Sequence, residues 1–278
     1  MEGLRPLQTT PEWGMTADAA EDCGPPDLLK GICSGIEEKS MEEIYRCGKF
    51  EIPVLYCDNH VLVVVKPCNI PVQADSSGDM DLLTALKEYV GKRFNKPGAV
   101  FLGLVHRLDR PVGGVMVFAR TSKAAQRLTD AFAGHTVDKR YLAVLQGEMT
   151  GDMSLENWLL KDGATGNVRA VSANTPGAKK ALLDTRPMAS REGTTLTEVE
   201  LHTGRAHQIR VQHKAAGFPL WGDSRYGGGK PGQQIALWAY NLTFEHPTQK
   251  TKMTFRAKPE GSDAWKLYAD MLEGIENE

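Results

Sequence analysis

His106-Arg107-Leu108-Asp109-Arg110-Pro111 sets one carboxylate between two arginines, and the apolar runs 101–105 and 115–119 on either side read as strands. Nearby positive charge favours the ionised form of a carboxyl group. An ionised aspartate on a strand-connecting loop has what a nucleophile or a general base needs. A surface ion pair in a strand-loop-strand turn is the plainer reading of the same residues. A second polar block, from Leu201 to His213, follows about a hundred residues later and reads Leu-His-Thr-Gly-Arg-Ala-His-Gln-Ile-Arg-Val-Gln-His. There the apolar run 195–201 passes through Thr203-Gly204 into a helix-like stretch that ends at Gly217. Gly-Phe-Pro219-Leu-Trp-Gly-Asp223-Ser-Arg-Tyr226-Gly then follows, and Lys139-Arg-Tyr141-Leu-Ala-Val-Leu-Gln-Gly147 lies between the two blocks.

These three blocks, in this order and at these spacings, resemble the RluA-type pseudouridine synthases, which isomerise uridine in RNA to its C-glycoside. The resemblance runs from about Pro53 to about Arg256. It implies an α+β fold with a mostly antiparallel, mixed sheet in two halves that flank an active-site cleft. It also implies a catalytic set of Asp109, Tyr141 and Arg210. Asp109 would either add to C1′ or remove the C2′ proton to give a glycal, after the target base has been flipped out of its stack. Tyr141 would pack against the face of the uracil. Arg210, in the turn after the strand ending at Leu201, would pair with the aspartate and aim it. Arg107 matches an arginine that in relatives fills the vacated space; a phosphate clamp or a structural ion pair is its alternative. Val211 would be either an apolar wall of the pocket or a core residue. Arg205, Lys214 and Arg225 are candidate phosphate contacts, and His207 and Gln208 are read as orienting the loop. Two departures stand out: Val112-Gly113-Gly114 where relatives usually have Thr-Ser-Gly or similar, and Ala206 where they often have Thr or Ser. Both remove hydroxyls near the cleft.

Composition is compatible with this reading. The chain has 278 residues, 41% hydrophobic and 24% charged, as in an ordinary soluble protein. No apolar run approaches the ~20 residues of a membrane span, and the first fourteen residues lack the pattern of a signal peptide, so the expected location is the cytoplasm. Five cysteines, Cys23, Cys33, Cys47, Cys57 and Cys68, form no CxxC pair and predict reduced thiols. No metal or cofactor is expected: no Walker loop or GxGxxG is present, and His207 and His213 lack metal-ligand spacing on a helix.

The net charge of −2 hides an uneven distribution. Residues 1–50 carry 5 Lys and Arg against 10 Asp and Glu, and residues 259–278 carry 1 against 6; residues 51–258 therefore hold 27 against 19, a net of +8. A basic middle can engage phosphates through counterion release. The implied partner is RNA, either tRNA or rRNA, with a monomer as the default state.

Two domains are expected: an acidic, partly disordered extension over 1–50, with short helices within 28–45, and a catalytic domain over 51–278. The extension does not resemble the small basic S4 domain that many relatives carry, which tilts the substrate expectation toward a compact tRNA stem-loop. Within the catalytic domain the pattern predicts a hairpin through Asp58-Asn59-His60 and a doubly covered strand over 61–65. Helices are predicted over 81–93, 122–132 and 262–272. Further strands are predicted at 140–147, 181–187, 195–201, 235–244 and 251–256. An RNA-binding or assembly factor with vestigial isomerase activity is the alternative function. A hydrolytic glycosidase is disfavoured because no second acid accompanies Asp109.

Overall fold

The computed structural model describes residues 43–227 and 229–275, all of which belong to one compact unit. Twelve strands form one sheet: β1 (Glu43–Cys47), β2 (Phe50–Cys57), β3 (Val61–Lys66), β4 (Gly103–Leu104), β5 (Gly113–Ala119), β6 (Asp138–Gln146), β7 (Met153–Lys161), β8 (Val168–Val171), β9 (Lys179–Arg191), β10 (Thr194–Leu201), β11 (Leu237–Glu245) and β12 (Lys252–Arg256). Their order is β1-β2-β3-β5-β11-β6-β10-β9-β7-β8, with β4 on β5 and β12 on β11. Every pairing is antiparallel except β5 with β11. That parallel seam joins the two halves through only Trp238–Gly113 and Ala239–Gly114.

Strand alternation builds the core. On β3, Leu62 and Val64 enter one apolar cluster while Val61, Val63 and Val65 enter the other. β3 is buried along its whole length, as its β-branched run predicts. Helix α1 (Leu82–Arg93) covers the first face with Leu82, Leu86 and Val90. Its N-terminus is capped by Asp81, whose carboxylate accepts from the Thr84 N–H at 3.0 Å. Helix α2 (Ser122–Ala133) covers the second face with Ala124 and Leu128, while Ala125 and Phe132 are partly buried against the same cluster. The second face is completed by a 3₁₀ turn (Asp263–Tyr268) that runs into α4 (Ala269–Leu272), where one helix was expected.

Some boundaries differ from the sequence reading. β1 lies upstream of the expected start of the domain and hydrogen-bonds along β2. The helices expected within 28–45 lie outside the described residues, apart from Glu43, Ile44 and Tyr45, which are strand. β7 and β8 were not expected; both are short of fully buried positions and carry polar residues on an open face, which blurs the period-2 signal.

Candidate active site

Asp109 sits just before β5, in a loop whose backbone is held from below. The buried Lys66 ammonium, at the end of β3, donates to the carbonyls of Pro67 (3.0 Å), Arg110 (3.0 Å) and Val112 (2.7 Å). Burial pushes the Lys66 pKa down to about 7, against the opposing pull of nearby groups that include Asp109. Asn69 N–H donates to the Arg110 carbonyl at 2.9 Å, and the Gln234 amide donates to the Pro111 carbonyl at 2.6 Å. The loop closes on itself through Val112 N–H to Asp109 O, 3.0 Å. Gly113 and Gly114 follow at the seam. A Cβ on Gly113 would overlap the Trp238 ring, and one on Gly114, at φ +124°, would overlap the Ala239 backbone. These two glycines therefore serve the close approach of β5 to β11.

The partner of the aspartate is not the one its immediate neighbours suggested. Arg110 turns away and pairs with Asp79, with Ser77 Oγ 3.1 Å from its guanidinium. The guanidinium at Asp109 belongs to Arg210, whose Nη1 donates to Asp109 Oδ2 at 3.0 Å. Arg210 lies in the first turn of helix α3 (Gln208–Ala215), not in the preceding turn. Its other nitrogens make a two-pronged bond to Asp223, Nε to Oδ2 and Nη2 to Oδ1, both 2.8 Å. Arg210 is 7% exposed, Asp223 1% and Asp109 26%, so a buried ion pair presents one free guanidinium edge to a more open carboxylate. Burial works against the Arg210 charge, but Asp223 and then Asp109 outweigh it and raise its pKa.

The loop ahead of α3 is held by side chains. Gln208 accepts from Thr203 Oγ1 (2.8 Å) and Arg205 N–H (3.0 Å) and donates to the Leu182 carbonyl (3.1 Å). His207 adopts φ +51° and hydrogen-bonds through Nδ1 to the Tyr226 hydroxyl at 2.6 Å. Its Nε2 is 3.9 Å from Asp109 Oδ1, too far for a hydrogen bond. Burial lowers the His207 pKa, with Asp109 opposing and Arg210 reinforcing the shift. Both residues orient this loop.

A cavity of ≈ 530 Å³ opens between these walls and is lined by Asp109, Arg210, Tyr141, Arg107, Arg205 and His207, among others. Tyr141 on β6 is buried, and burial followed by the charge of Asp109 raises its hydroxyl pKa. The structure thus brings together the three residues of the expected catalytic set, and Arg107 and Arg205 with them. It does not bring in three others. Val211 packs with Leu159, Val168, Ala181 and Tyr226 and does not line the cavity. Lys214 is exposed in the last turn of α3 beside Gly227, and Arg225 is exposed next to Asp223; neither lines the cavity. Sequence reasoning missed Asp223 and Lys66 as positioning residues. Asp223 stood in a quoted block, but nothing local tied it to an arginine thirteen residues earlier. Lys66, a lysine ending an all-apolar strand, carried a readable signal. Among the described residues no group of three or more His, Cys, Asp or Glu side chains is placed to hold a metal ion.

Residues 60–215 match the family model described as RNA pseudouridylate synthase. The chain is 36% identical over 233 residues to ribosomal large subunit pseudouridine synthase D of Pseudomonas aeruginosa, covering 78% of this chain and 71% of the relative. It is 31% identical over 219 residues to the synthase of the same name from Zymomonas mobilis, covering 74% and 69%. The solved structure of human RNA pseudouridylate synthase domain containing 4 superposes with a TM-score of 0.64 at 20% identity, over 80% of this chain and 93% of that one, and shares the fold. Fold and sequence together define an isomerase that works on uridine in RNA. The chain belongs to the RNA pseudouridylate synthase family, of the RluA type.

Proposed function

We propose that the chain converts particular uridines of large-subunit ribosomal RNA to pseudouridine, with Asp109 as the group that reacts at the ribose. The observation that carries this is the Asp223–Arg210–Asp109 chain of contacts, which aims one carboxylate oxygen while its mate stays open to the cavity. The isomerisation needs the N1–C1′ bond broken, the uracil turned, and a C5–C1′ bond formed. Asp109 serves either by adding to C1′ or by taking the C2′ proton, and the arrangement supports both. Tyr141 offers its ring to the uracil face, while Arg107 and Arg205, exposed at the rim, supply charge to the strand. Lys214 and Arg225 belong to an outer basic surface that meets phosphates further along the RNA. The substrate choice departs from the tRNA stem-loop favoured by an extension unlike the basic S4 domain; it rests on the names of the relatives, several of which are ribosomal large subunit synthases. The enzyme works as a monomer in the cytoplasm on this reading; no helix among the described residues is long and apolar enough to cross a membrane.

The test is tritium release from RNA labelled at uridine C5, with ribosomal RNA and bulk tRNA from cells lacking the gene. Wild-type protein should release tritium from the ribosomal fraction, and Asp109→Asn should not. Release from tRNA alone would overturn the substrate, and equal release by both proteins would overturn the role of Asp109. Absence of release from either fraction, with RNA binding intact, would favour the binding-factor alternative.

A further inference from the structure

The cavity extends beyond the catalytic trio to the C-terminal end of α2, where Thr129, Phe132 and His135 face Lys139 of β6. Lys139 precedes Tyr141 by two residues, so strand alternation puts both side chains on one face, roughly 7 Å apart along the strand. It is 9% exposed. Among the described residues its ammonium makes no hydrogen bond and no ion pair. Asp138, adjacent in sequence, is taken by Arg140, whose Nε donates to it at 3.2 Å. Asp109 and Asp223 are taken by Arg210. The other basic group at hand is no partner either. His106 stacks on Phe132 with ring centroids 4.5 Å apart, and its Nε2 accepts from the Val117 N–H at 3.0 Å. Burial and then Lys139 itself push the His106 pKa down to about 3, so the ring is neutral with its proton on Nδ1.

Lys139 is nine-tenths buried as a residue, its ammonium has no protein partner, and its remaining exposure is on the cavity side, where full hydration is denied to it. Here it lines the cavity that holds the reacting carboxylate, beside a neutral imidazole with a free donor. An anion would satisfy both. We propose that Lys139 anchors a phosphodiester of the RNA strand that carries the target uridine, and that the α2 end of the cavity is the subsite for the nucleotide next to the reacting one. Lys139 is thus a substrate-binding residue that works while Tyr141, on the same strand face, meets the base. The assignment rests on the reading that this cavity receives the target strand.

The experiment compares wild type, Lys139→Met and Asp109→Asn, all as the full chain, in binding to a ribosomal RNA fragment over a range of salt concentrations. Thermal unfolding of the free proteins and tritium release are measured on the same preparations. Lys139→Met keeps the length of the side chain and removes the charge. It should weaken RNA binding roughly tenfold, the worth of one charge-assisted hydrogen bond. The slope of log affinity against log salt should become shallower by about 0.7–1, the signature of one lost phosphate contact. The melting temperature of the free protein should stay level or rise, because an uncompensated charge has gone. An unchanged salt slope, with or without lost affinity, overturns the proposal, and so does a fall in melting temperature with the slope intact, which marks a purely structural lysine. Failure of the underlying reading shows separately, as tritium release that Asp109→Asn leaves untouched; the salt slope of Lys139→Met still decides the phosphate contact in that case.

Discussion

The two walls of the cleft are held in opposite ways. On the Asp109 side the clamps grip main chain: Lys66, Asn69 and Gln234 bind the carbonyls of residues 110–112, and the Asp109 side chain takes no part in holding its own loop. On the α3 side the clamps are side chains: Arg210 on Asp223, His207 on Tyr226, Gln208 on Thr203. The first arrangement leaves a carboxylate free to form and break bonds without disturbing its support. The second suits a group that only aims and balances charge, since an ion pair fixes direction as well as position. Chemistry and positioning are thereby separated, and each wall can be broken on its own.

The largest effect should come from Asp109→Asn, which leaves the main-chain clamps of its own wall in place. Turnover should fall on the order of 10³-fold or more, while the melting temperature and RNA affinity stay near wild type. A fall in stability comparable to that of a clamp mutant would show that Asp109 helps to hold its wall. Asp223→Asn should come next, by a different route. It strips a buried guanidinium of its charged partner, which costs about 3–5 kcal/mol of stability. The aim of Arg210 would loosen as well, lowering kcat by roughly 10²-fold. Pairing Asp223→Asn with Arg210→Met should restore stability without restoring activity. Recovery of both by the double variant would refute a positioning role for this pair.

Lys66→Met tests the other wall. Three carbonyls lose their shared donor, for about 1–3 kcal/mol of stability as read by denaturant titration, and the Asp109 loop relaxes. The expected signature is lower kcat with unchanged KM for RNA. A rise in KM alone would mean that the loop binds substrate instead of presenting the aspartate.

The two walls also differ in how readable they were. Asp109, Tyr141 and Arg210 could be named from motif order because each is embedded in a local pattern: a strand-flanked loop, a strand, a Gly-led helix start. The family resemblance implied the Arg210–Asp109 pair that the structure shows, whereas the local reading of Arg107 and Arg110 as the charges beside Asp109 came from the same habit of judging by neighbours. Arg110 is adjacent in sequence, whereas Arg210 is a hundred residues away and reaches Asp109 only once β5, β6 and α3 are assembled. Asp223 was invisible for that reason, since a buried carboxylate declares itself only through its burial. Val211, for which pocket wall and core were both open, lies one helical step from the cavity: Arg210 faces the cavity, and the next residue, rotated by about 100°, faces the cluster around Leu159 and Tyr226. The continuous apolar strands β3 and β5 were legible, while the half-exposed β7 and β8 were not.

A further expected effect, in acid stability instead of activity, ties the two walls together. His106 stands just ahead of the Asp109 loop, and His213 lies in α3 behind Arg210. Burial drives both down, His106 to about 3 and His213 to about 4. The hydrogen bonds give the reason. His213 Nδ1 donates to the Ile209 carbonyl at 2.8 Å, which leaves Nε2 to accept from Thr185 Oγ1 at 3.2 Å; His106 Nε2 likewise accepts from Val117 N–H. Protonating either ring would turn a buried acceptor into a donor facing a donor. Below pH 6.5 the unfolded chain takes up these protons and the folded one does not, so stability is intact above that pH and falls as pH drops from 6.5 toward about 4. The slope is up to about 1.4 kcal/mol per pH unit for each histidine. Carboxylate pairs contribute mainly below this window, so titrating stability between pH 6.5 and 4.5 isolates the histidines. His213→Gln and His106→Gln should each remove a large share of the slope, and the double variant should leave only the remainder that His207 contributes, its pKa also being lowered by burial. If one single variant flattened the curve completely, acid sensitivity would belong to one wall only.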